Sequence, residues 1–283
     1  MRTNKFIFFA VPFIFLTTVC FSQQTKIPYG NNSSAGKYYT VRGIKMYAEI
    51  YGSGHPLLLI HGNGGSIDAF SSNIPYFSKK YKVIAVDSRA HGKTIDDHDS
   101  LSFEMMSDDF AALLDVMHID SAYVIGWSDG GINALLLAMR HPEKVIRLVS
   151  TGANLTPDST GLIPVYWRDE QKRYESDKNT PRTNAKEKND WKIFMLDWVQ
   201  PNVPFSELSK IKCPSLIVCG DNDLIPIEHT AAIYRHIPHA YLWVLPNSGH
   251  ATLKEHRDDF NRMADSFFKE PFNTFGRSAG NPQ

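Results

Sequence analysis

Short, continuous apolar runs recur along the chain and are separated by stretches with helical spacing. A run that stays apolar at every position predicts a strand buried on both faces, as in a parallel sheet. These runs lie at residues 56–60, 82–87, 122–125, 145–151, 214–219 and 240–245. Helices are predicted between them, at residues 68–80, 103–117, 130–140, 228–236 and 256–268. The alternation predicts an α/β fold with a mostly parallel central sheet flanked by helices.

A different pattern precedes the first of these apolar runs: apolar and polar residues alternate between Lys37 and Tyr51. A period of two predicts half-buried strands, and the pair Arg42-Gly43 in the middle predicts a turn. We therefore expect two strands joined by a tight turn before the first buried strand.

The strand–helix rhythm is interrupted between residues 154 and 211. Residues 168–189 are dense in charge, and Trp191, Phe194 and Trp198 then gather on one face of an expected helix. We interpret this segment as a small helical cap, inserted in the main domain, whose apolar face covers a pocket. A solvated insertion without a function is the alternative that the pattern leaves open.

The beginning of the chain is typical of a secretory signal peptide. A basic stretch, Met1–Lys5, precedes the almost wholly apolar residues 6–19, and Cys20 and Ser22 then provide small side chains. The apolar run is too short to cross a membrane comfortably, so we predict cleavage, export to the periplasm or the medium, and no membrane span afterwards. An uncleaved anchor and a lipid on Cys20 stay open as alternatives, although Val19 is bulky for a lipid-attachment site.

These patterns give the domain organisation. We predict a signal peptide at residues 1–22, a linker at 23–36, the main domain at 37–269 and a flexible tail at 270–283.

The charge balance argues against a nucleic-acid-binding protein, and the cysteine spacing argues against a disulfide. Lys and Arg number 30, as do Asp and Glu, so the chain has neither the basic surface of a nucleic-acid-binding protein nor an acidic tail. Cleavage would leave two cysteines, Cys213 and Cys219. Extended chain would separate them by about 20 Å, beyond disulfide reach, so we expect two buried thiols. The oligomeric state is not determined by the sequence.

The main chemical motif lies where a predicted strand meets a predicted helix. Gly126-Trp127-Ser128-Asp129-Gly130 matches G-x-S-x-G, the pattern of a serine on a sharp strand-to-helix turn. Glycines tolerate the strained backbone, and the turn lifts the hydroxyl clear of the sheet. The five-residue pattern alone also occurs by chance. The strand before it and the helix after it make Ser128 a strong nucleophile candidate.

A serine hydroxyl is a poor nucleophile at neutral pH, so it needs a base and a group that orients the base. The chain has 11 histidines, and His250 stands apart because it follows the last predicted strand in a turn preceded by glycine. We predict His250 as the base. Asp223 is predicted as the acid, since it follows the preceding predicted strand. Asp221 is two residues away and would point to the other face if the strand continued.

The order of these motifs identifies a family. From about Tyr38 to Phe268 the chain resembles the α/β-hydrolase superfamily. The matching motifs are His61-Gly62, Asp87-x-Arg89-x-x-Gly92, Gly126-x-Ser128-x-Gly130, Gly220-x-x-Asp223 and Gly249-His250. Five motifs in order, each at a predicted strand end, are far more specific than any one of them.

The resemblance implies roles for particular residues. Ser128, Asp223 and His250 would form the catalytic triad, with Asp158 at the other position where some members carry the acid. The backbone N–H groups of Asn63 and Asp129 would form the oxyanion hole. The resemblance implies no metal and no organic cofactor.

Two neighbours of the serine bear on the substrate. We expect Trp127 to form a wall of the acyl pocket. Asp129 has two interpretations: a helix N-terminal residue favoured by the dipole, or a carboxylate that attracts a substrate cation such as an α-ammonium group. The run Gly-Trp-Ser-Asp-Gly-Gly resembles the biphenyl-hydrolase-like branch, which includes amino-acid ester hydrolases.

The sequence therefore predicts a serine hydrolase that cleaves a small carboxylic ester through an acyl-enzyme intermediate. An iminopeptidase-like amidase, a carbon–carbon bond hydrolase and a perhydrolase can use the same triad, so they stay open. A hydrolase-fold binding protein that captures its ligand without turnover is the alternative from another class. The serine nucleophile argues against haloalkane dehalogenase and epoxide hydrolase chemistry, which in the resembling branches depends on aspartate.

Overall fold

The computed structural model describes residues 27–273. The predicted signal peptide, residues 23–26 of the predicted linker and residues 274–283 of the predicted tail lie outside this range. Within it, no helix combines the length and the apolar character needed to cross a membrane.

The centre of the structure is an eight-stranded sheet with the order β1-β2-β4-β3-β5-β6-β7-β8. The strands are β1 (Gly36–Val41), β2 (Ile44–Tyr51), β3 (His55–Ile60), β4 (Tyr81–Val86), β5 (Ala122–Trp127), β6 (Val145–Thr151), β7 (Ser215–Gly220) and β8 (Ala240–Leu245). β2 pairs antiparallel with β1 and β4, and all other pairs are parallel. The predicted α/β fold is confirmed, and the continuous apolar runs form the parallel strands because both of their faces are covered.

Helices cover the sheet on both sides. They are α1 (Ile74–Phe77), α2 (Phe103–Val116), α3 (Asp129–Arg140), α4 (Pro164–Asp177), α5 (Ala185–Val199), α6 (Ile227–His236), α7 (Thr252–Glu255) and α8 (Arg257–Lys269). One core joins the sheet to α2, α3 and α6, with Phe103 and Phe110 fully buried in it. A second core lies on the opposite face, where Phe77 and Phe260 bring α1 and α8 against the strands.

The single helix predicted at residues 68–80 is wrong. The chain forms a short 3-10 helix, Ile67–Phe70, and then the one-turn helix α1. Pro75 fits only in the first turn of a helix, because it lacks the N–H that an interior position donates. Asn73, just before α1, donates its amide to the Leu253 carbonyl at 3.0 Å. A helix arriving from residue 68 therefore cannot continue through this point.

The described part of the predicted linker packs against the edge of the sheet. The buried Glu49 carboxylate on β2 accepts hydrogen bonds from the backbone N–H groups of Gly30 and Asn32, both at 2.8 Å. It also accepts from the hydroxyls of Tyr47 at 2.9 Å and Tyr51 at 2.7 Å. Because a buried carboxylate needs such partners, Glu49 fixes the segment that precedes β1.

A buried ion pair gives a stability prediction. The Arg89 guanidinium binds the Asp109 carboxylate at 2.6 and 2.9 Å, and both side chains are almost completely buried. Replacing Arg89 with alanine leaves the buried Asp109 carboxylate with only the half-exposed Arg42, whose Nε lies 3.1 Å from Oδ1, so we expect the free energy of unfolding to fall by about 3–5 kcal/mol. Urea unfolding followed by circular dichroism measures this change.

The matched control is Arg140→Ala, which removes a bidentate pair with Asp108 on the surface. An exposed pair contributes about 0–1 kcal/mol, so this variant should unfold close to the wild type. If both variants lost the same free energy of unfolding, the buried pair would contribute no more to stability than the exposed pair, which would contradict the prediction.

Candidate active site

Ser128 lies at the turn between β5 and α3, in a strained backbone conformation with φ 58° and ψ −122°. The glycines on either side are required by close backbone contacts. A Cβ atom on Gly126 would lie 2.0 Å from the Gly130 carbonyl oxygen, and one on Gly130 would lie 1.9 Å from the Ile60 carbonyl oxygen. The two glycines of the motif therefore let helix α3 begin directly against the sheet, with Ser128 at the apex.

The structure brings Ser128, His250 and Asp223 into one chain of hydrogen bonds. His250 Nε2 is 2.9 Å from Ser128 Oγ, and His250 Nδ1 is 2.7 Å from Asp223 Oδ1. A carboxylate can only accept, so Nδ1 donates to Asp223 and neutral Nε2 accepts from the serine hydroxyl. Asp223 Oδ1 also accepts from the Ile225 N–H at 3.1 Å, which helps to fix its carboxylate.

The other two acidic candidates have different partners. Asp221 Oδ1 accepts from the Ser248 N–H at 3.0 Å, which orders the turn before His250. Asp158 accepts from the Thr160 N–H at 2.8 Å in its own exposed loop. The pKa of Asp221 is lowered chiefly by the Asn247 N–H and then by the Ser248 N–H, and that of Asp158 chiefly by the Thr160 hydroxyl. The imidazole of His250 contacts Asp223 instead.

Trp127 lines the same cavity as Ser128, where the sequence predicts a wall of the acyl pocket. It also makes a contact that the sequence does not indicate. Its indole Nε1–H donates to the backbone carbonyl of His250 at 2.9 Å. The residue before the nucleophile thus holds the main chain of the predicted base.

Asn63 lies in the loop that follows β3, and Asp129 is the first residue of α3. Both residues line the cavity beside Ser128, as the predicted oxyanion hole requires. His61 fixes the loop: its Nδ1–H donates to the Gly62 carbonyl at 2.7 Å, and its Nε2 accepts from the Ser88 N–H at 3.1 Å. Complete burial lowers the pKa of His61 to about 3, so the imidazole stays neutral and keeps both bonds.

Ser128 opens into a cavity of about 460 Å³ between the sheet and the cap. Much of its wall is aromatic, from Trp127, Tyr166, Trp167, Phe194 and Trp198. Charged side chains line it too, four of them acidic and two basic: Asp68, Asp129, Glu170, Asp197, Arg173 and Lys254. The cavity is large enough for a small organic substrate, and its fixed charges are mostly negative.

The cap consists of α4 and α5, which are joined by stacked aromatic rings. Trp198 of α5 lies between Trp167 and Tyr174 of α4, at centroid distances of 4.9 and 4.5 Å. Its two faces are therefore covered inside the cap. Asn189 Nδ2 of α5 donates to the Ala90 carbonyl at 2.8 Å, and Lys192 Nζ donates to the His98 carbonyl at 2.8 Å, which fastens the cap to the main domain.

The sequence did not indicate two side-chain contacts between the cap and the residues around Ser128, those of Asn63 and of Asp197. The Asn63 amide donates to Asp129 Oδ2 at 3.0 Å and to the Ile193 carbonyl of α5 at 3.2 Å. The Asp197 carboxyl of α5 is hydrogen-bonded to the Asp129 carboxyl. The available signal was that Asp197 is the one charged residue in the otherwise apolar stretch 193–199.

The two predicted cysteine thiols are free and buried. Within residues 27–273, no three side chains of His, Cys, Asp or Glu are grouped so that they could hold a metal ion.

The α/β-hydrolase class is defined by a mostly parallel sheet with three features at its strand ends. In this chain they are a serine on a strained turn after β5, an aspartate after β7 and a histidine after β8. The chain has the α/β-hydrolase fold that the sequence motifs predict. A family model described as the alpha/beta hydrolase fold matches residues 55–169.

Individual relatives cover most of the chain. The human serine hydrolase BPHL is 28% identical over 259 residues, which span 85% of this chain and 88% of that protein. A 2-hydroxy-6-oxononadienedioate/2-hydroxy-6-oxononatrienedioate hydrolase of Comamonas testosteroni is 23% identical over 84% of this chain and 97% of its own. Among solved structures, an N-acyl homoserine lactone degrading enzyme has a TM-score of 0.69 and 25% identity, covering 82% of this chain and 100% of that one.

Proposed function

We propose that this protein is a serine hydrolase that cleaves a small carboxylic ester through an acyl-enzyme intermediate. The observation that carries the proposal is the hydrogen-bonded series Asp223–His250–Ser128 at the wall of a substrate-sized cavity. His250 takes the serine proton as Ser128 attacks the carbonyl carbon, and Asp223 stabilises the imidazolium that forms. In this mechanism the N–H groups of Asn63 and Asp129 bind the oxyanion. Protonated His250 then gives its proton to the alkoxide, which leaves as the alcohol. Water next attacks the acyl-enzyme as His250 takes its proton, and the carboxylic acid leaves when His250 returns that proton to Ser128.

The first test uses the protein without its predicted signal peptide, residues 23–283. It measures the release of p-nitrophenol from p-nitrophenyl acetate. Steady release of many equivalents per enzyme supports a hydrolase, and an initial burst equal to the enzyme concentration reports the acyl-enzyme. Release that stops after one equivalent would instead favour the ligand-capturing alternative.

The charges of the cavity favour a substrate that carries a cation. Asp129 is buried next to Ser128, so its carboxylate lies close to the α-position of a bound acyl group. An α-ammonium group there would make a charge-assisted hydrogen bond, which is stronger than a neutral one. We therefore propose that amino-acid esters are preferred over plain acyl esters.

Asp129→Asn tests this preference with two esters of the same shape. Alanine ethyl ester carries an ammonium group where ethyl isobutyrate carries a methyl group. Removing the charge of Asp129 should lower the ratio of their kcat/KM values by about ten- to a hundredfold, because a hydrogen bond to a charged group contributes about 1.5–3 kcal/mol. Asp169→Asn, on the exposed face of α4, is the matched control and should leave the ratio unchanged. An unchanged ratio in Asp129→Asn would remove the proposed ammonium contact.

A carbon–carbon bond hydrolase is the second candidate, because the relative from Comamonas testosteroni is named for such substrates. The substrates in the name of that enzyme are dicarboxylates. Four carboxyl-bearing side chains line the present cavity against two basic ones, and this balance repels a dianion. Turnover of a 2-hydroxy-6-oxo dienedioate as fast as that of p-nitrophenyl acetate would nevertheless favour this candidate.

A further inference from the structure

Two carboxyl groups from different parts of the fold meet beside the nucleophile. Asp129 begins α3 directly after Ser128, and Asp197 lies on the cap helix α5. Both side chains line the cavity, and their carboxyl groups are within hydrogen-bond distance of each other.

Asn63 fixes the relative position of Asp129 and the cap helix α5. Its amide donates to Asp129 Oδ2 at 3.0 Å and to the carbonyl of Ile193 at 3.2 Å. Ile193 precedes Asp197 by one turn of α5, so the two positions lie on the same side of the helix. The Asn63 bridge therefore holds α5 in the position that points Asp197 at Asp129.

Two ionised carboxylates cannot form a hydrogen bond with each other, since neither has a proton to donate. One proton must lie between them when the bond is made. Burial and the neighbouring Asp129 raise the pKa of Asp197 well above its usual range, so the pair retains one proton. Asp129 also has a raised pKa through burial, but the Asp197 and Asn63 hydrogen bonds favour its ionised form.

We propose that Asp197 shares a proton with Asp129, so that the pair presents a single, oriented negative charge to the ammonium group of a substrate. This inference rests on the proposed function, and it makes Asp197 a specificity-determining residue contributed by the cap. A subsite with charge −1 matches one ammonium group. Two ionised carboxylates would instead repel each other and push the cap helix away from the nucleophile.

The other charged groups around the pair are compatible with one shared proton. Glu170 of α4 faces Asp197 and adds to the negative field, while His91 and His250 lie near Asp129 and favour its ionised form. Burial and these carboxyl groups raise the pKa of Tyr166 to about 12, so that hydroxyl stays neutral.

The kinetic test compares Asp197→Asn with Asp197→Ala, using the kcat/KM ratio of alanine ethyl ester to ethyl isobutyrate. The assay is run at about pH 6.5, below the pKa of the α-amino group. Asparagine still donates a hydrogen bond to Asp129 and leaves the pair with one negative charge, so we expect a ratio near that of the wild type. Alanine leaves Asp129 without this donor, and the ratio should fall by about tenfold or more.

Both kcat/KM values of a variant are lowered equally if part of the enzyme is unfolded, so their ratio does not depend on the folded fraction. Asp190→Ala removes an exposed carboxylate from the same helix and should leave the ratio unchanged. An unchanged ratio in Asp197→Ala, or an equal fall in Asp197→Asn, would overturn the role of a donated proton. A wild type that hydrolyses both esters without preferring the charged one would overturn the subsite and leave the esterase proposal intact.

The second test is independent of catalysis. Infrared difference spectra of wild type minus Asp197→Asn, in D₂O near neutral pD, should contain the C=O band of a protonated carboxyl group. An ordinary aspartate is fully ionised there, since its pKa is about 3.9. Absence of the band would overturn the shared proton even if both esters are cleaved. Its presence in a protein that cleaves neither ester would support the pair and refute the proposed function.

Discussion

Replacing Ser128 with alanine should reduce kcat for p-nitrophenyl acetate by about 10⁴- to 10⁶-fold. The hydroxyl is the group that His250 Nε2 contacts at 2.9 Å, and a methyl group can neither accept the acyl group nor give up a proton. The remaining rate would come from the oxyanion donors and from substrate positioning alone. Stopped-flow and steady-state release of p-nitrophenol measure the loss, and the initial burst should disappear together with turnover.

A surface serine provides the matched control for this substitution. Ser209 lies in the exposed 3-10 helix Phe205–Lys210, where its hydroxyl donates to the Ser206 carbonyl at 2.7 Å. Ser209→Ala should keep the rate of the wild type. Equal rates in wild type and Ser128→Ala would show that Ser128 is not the nucleophile and would end the proposed mechanism.

Asp223→Asn should lower kcat by about 10⁴-fold while the fold is retained. An asparagine amide at this position can donate a hydrogen bond to His250 Nδ1, which moves the imidazole proton to Nε2. Nε2–H cannot accept the serine proton, so the base is present in the wrong tautomer. The loss of the carboxylate also removes the charge that stabilises the imidazolium. The measurement is kcat for p-nitrophenyl acetate across pH, together with a thermal unfolding scan.

The chain offers two matched controls for this substitution. Asp221→Asn changes a carboxylate that accepts the Ser248 N–H, and Asp158→Asn changes the other position where the superfamily carries the acid. We expect both variants to keep kcat within a few fold. A loss of about 10⁴-fold in Asp158→Asn and a small loss in Asp223→Asn would transfer the acid to Asp158.

The fold was predictable because its strands have an unusual pattern. Runs such as Leu57–Ile60 and Val83–Val86 are apolar at every position, which only a strand covered on both faces allows. The order of the strands in the sheet was not predicted from these patterns and is a property of the tertiary structure. The single helix predicted at residues 68–80 is wrong because Pro75 cannot occupy a helix interior and Asn73 is tied to the Leu253 carbonyl.

The candidate site was predictable where chemistry is tied to strand ends. Ser128, Asp223 and His250 each follow a strand, and parallel strands bring their carboxyl ends to one edge of the sheet. Residues that are far apart in the chain therefore meet without any helix having to be placed correctly. Their catalytic roles stay predictions until the variants are measured.

The sequence by itself determined the sheet, the strained serine turn and the residues that follow each strand, because these features depend on local spacing and on burial of continuous apolar runs. Only the tertiary structure decided how the cap lies on this framework. The contacts of Asn63 with Ile193 and of Asp197 with Asp129 join segments that are 130 and 68 residues apart, and no local pattern specifies them. They arise because stacked aromatic rings fix α5 against α4 and polar bonds fix α5 to the main domain. That packing brings Asp197, the one charged residue of the stretch 193–199, against the residue that follows Ser128.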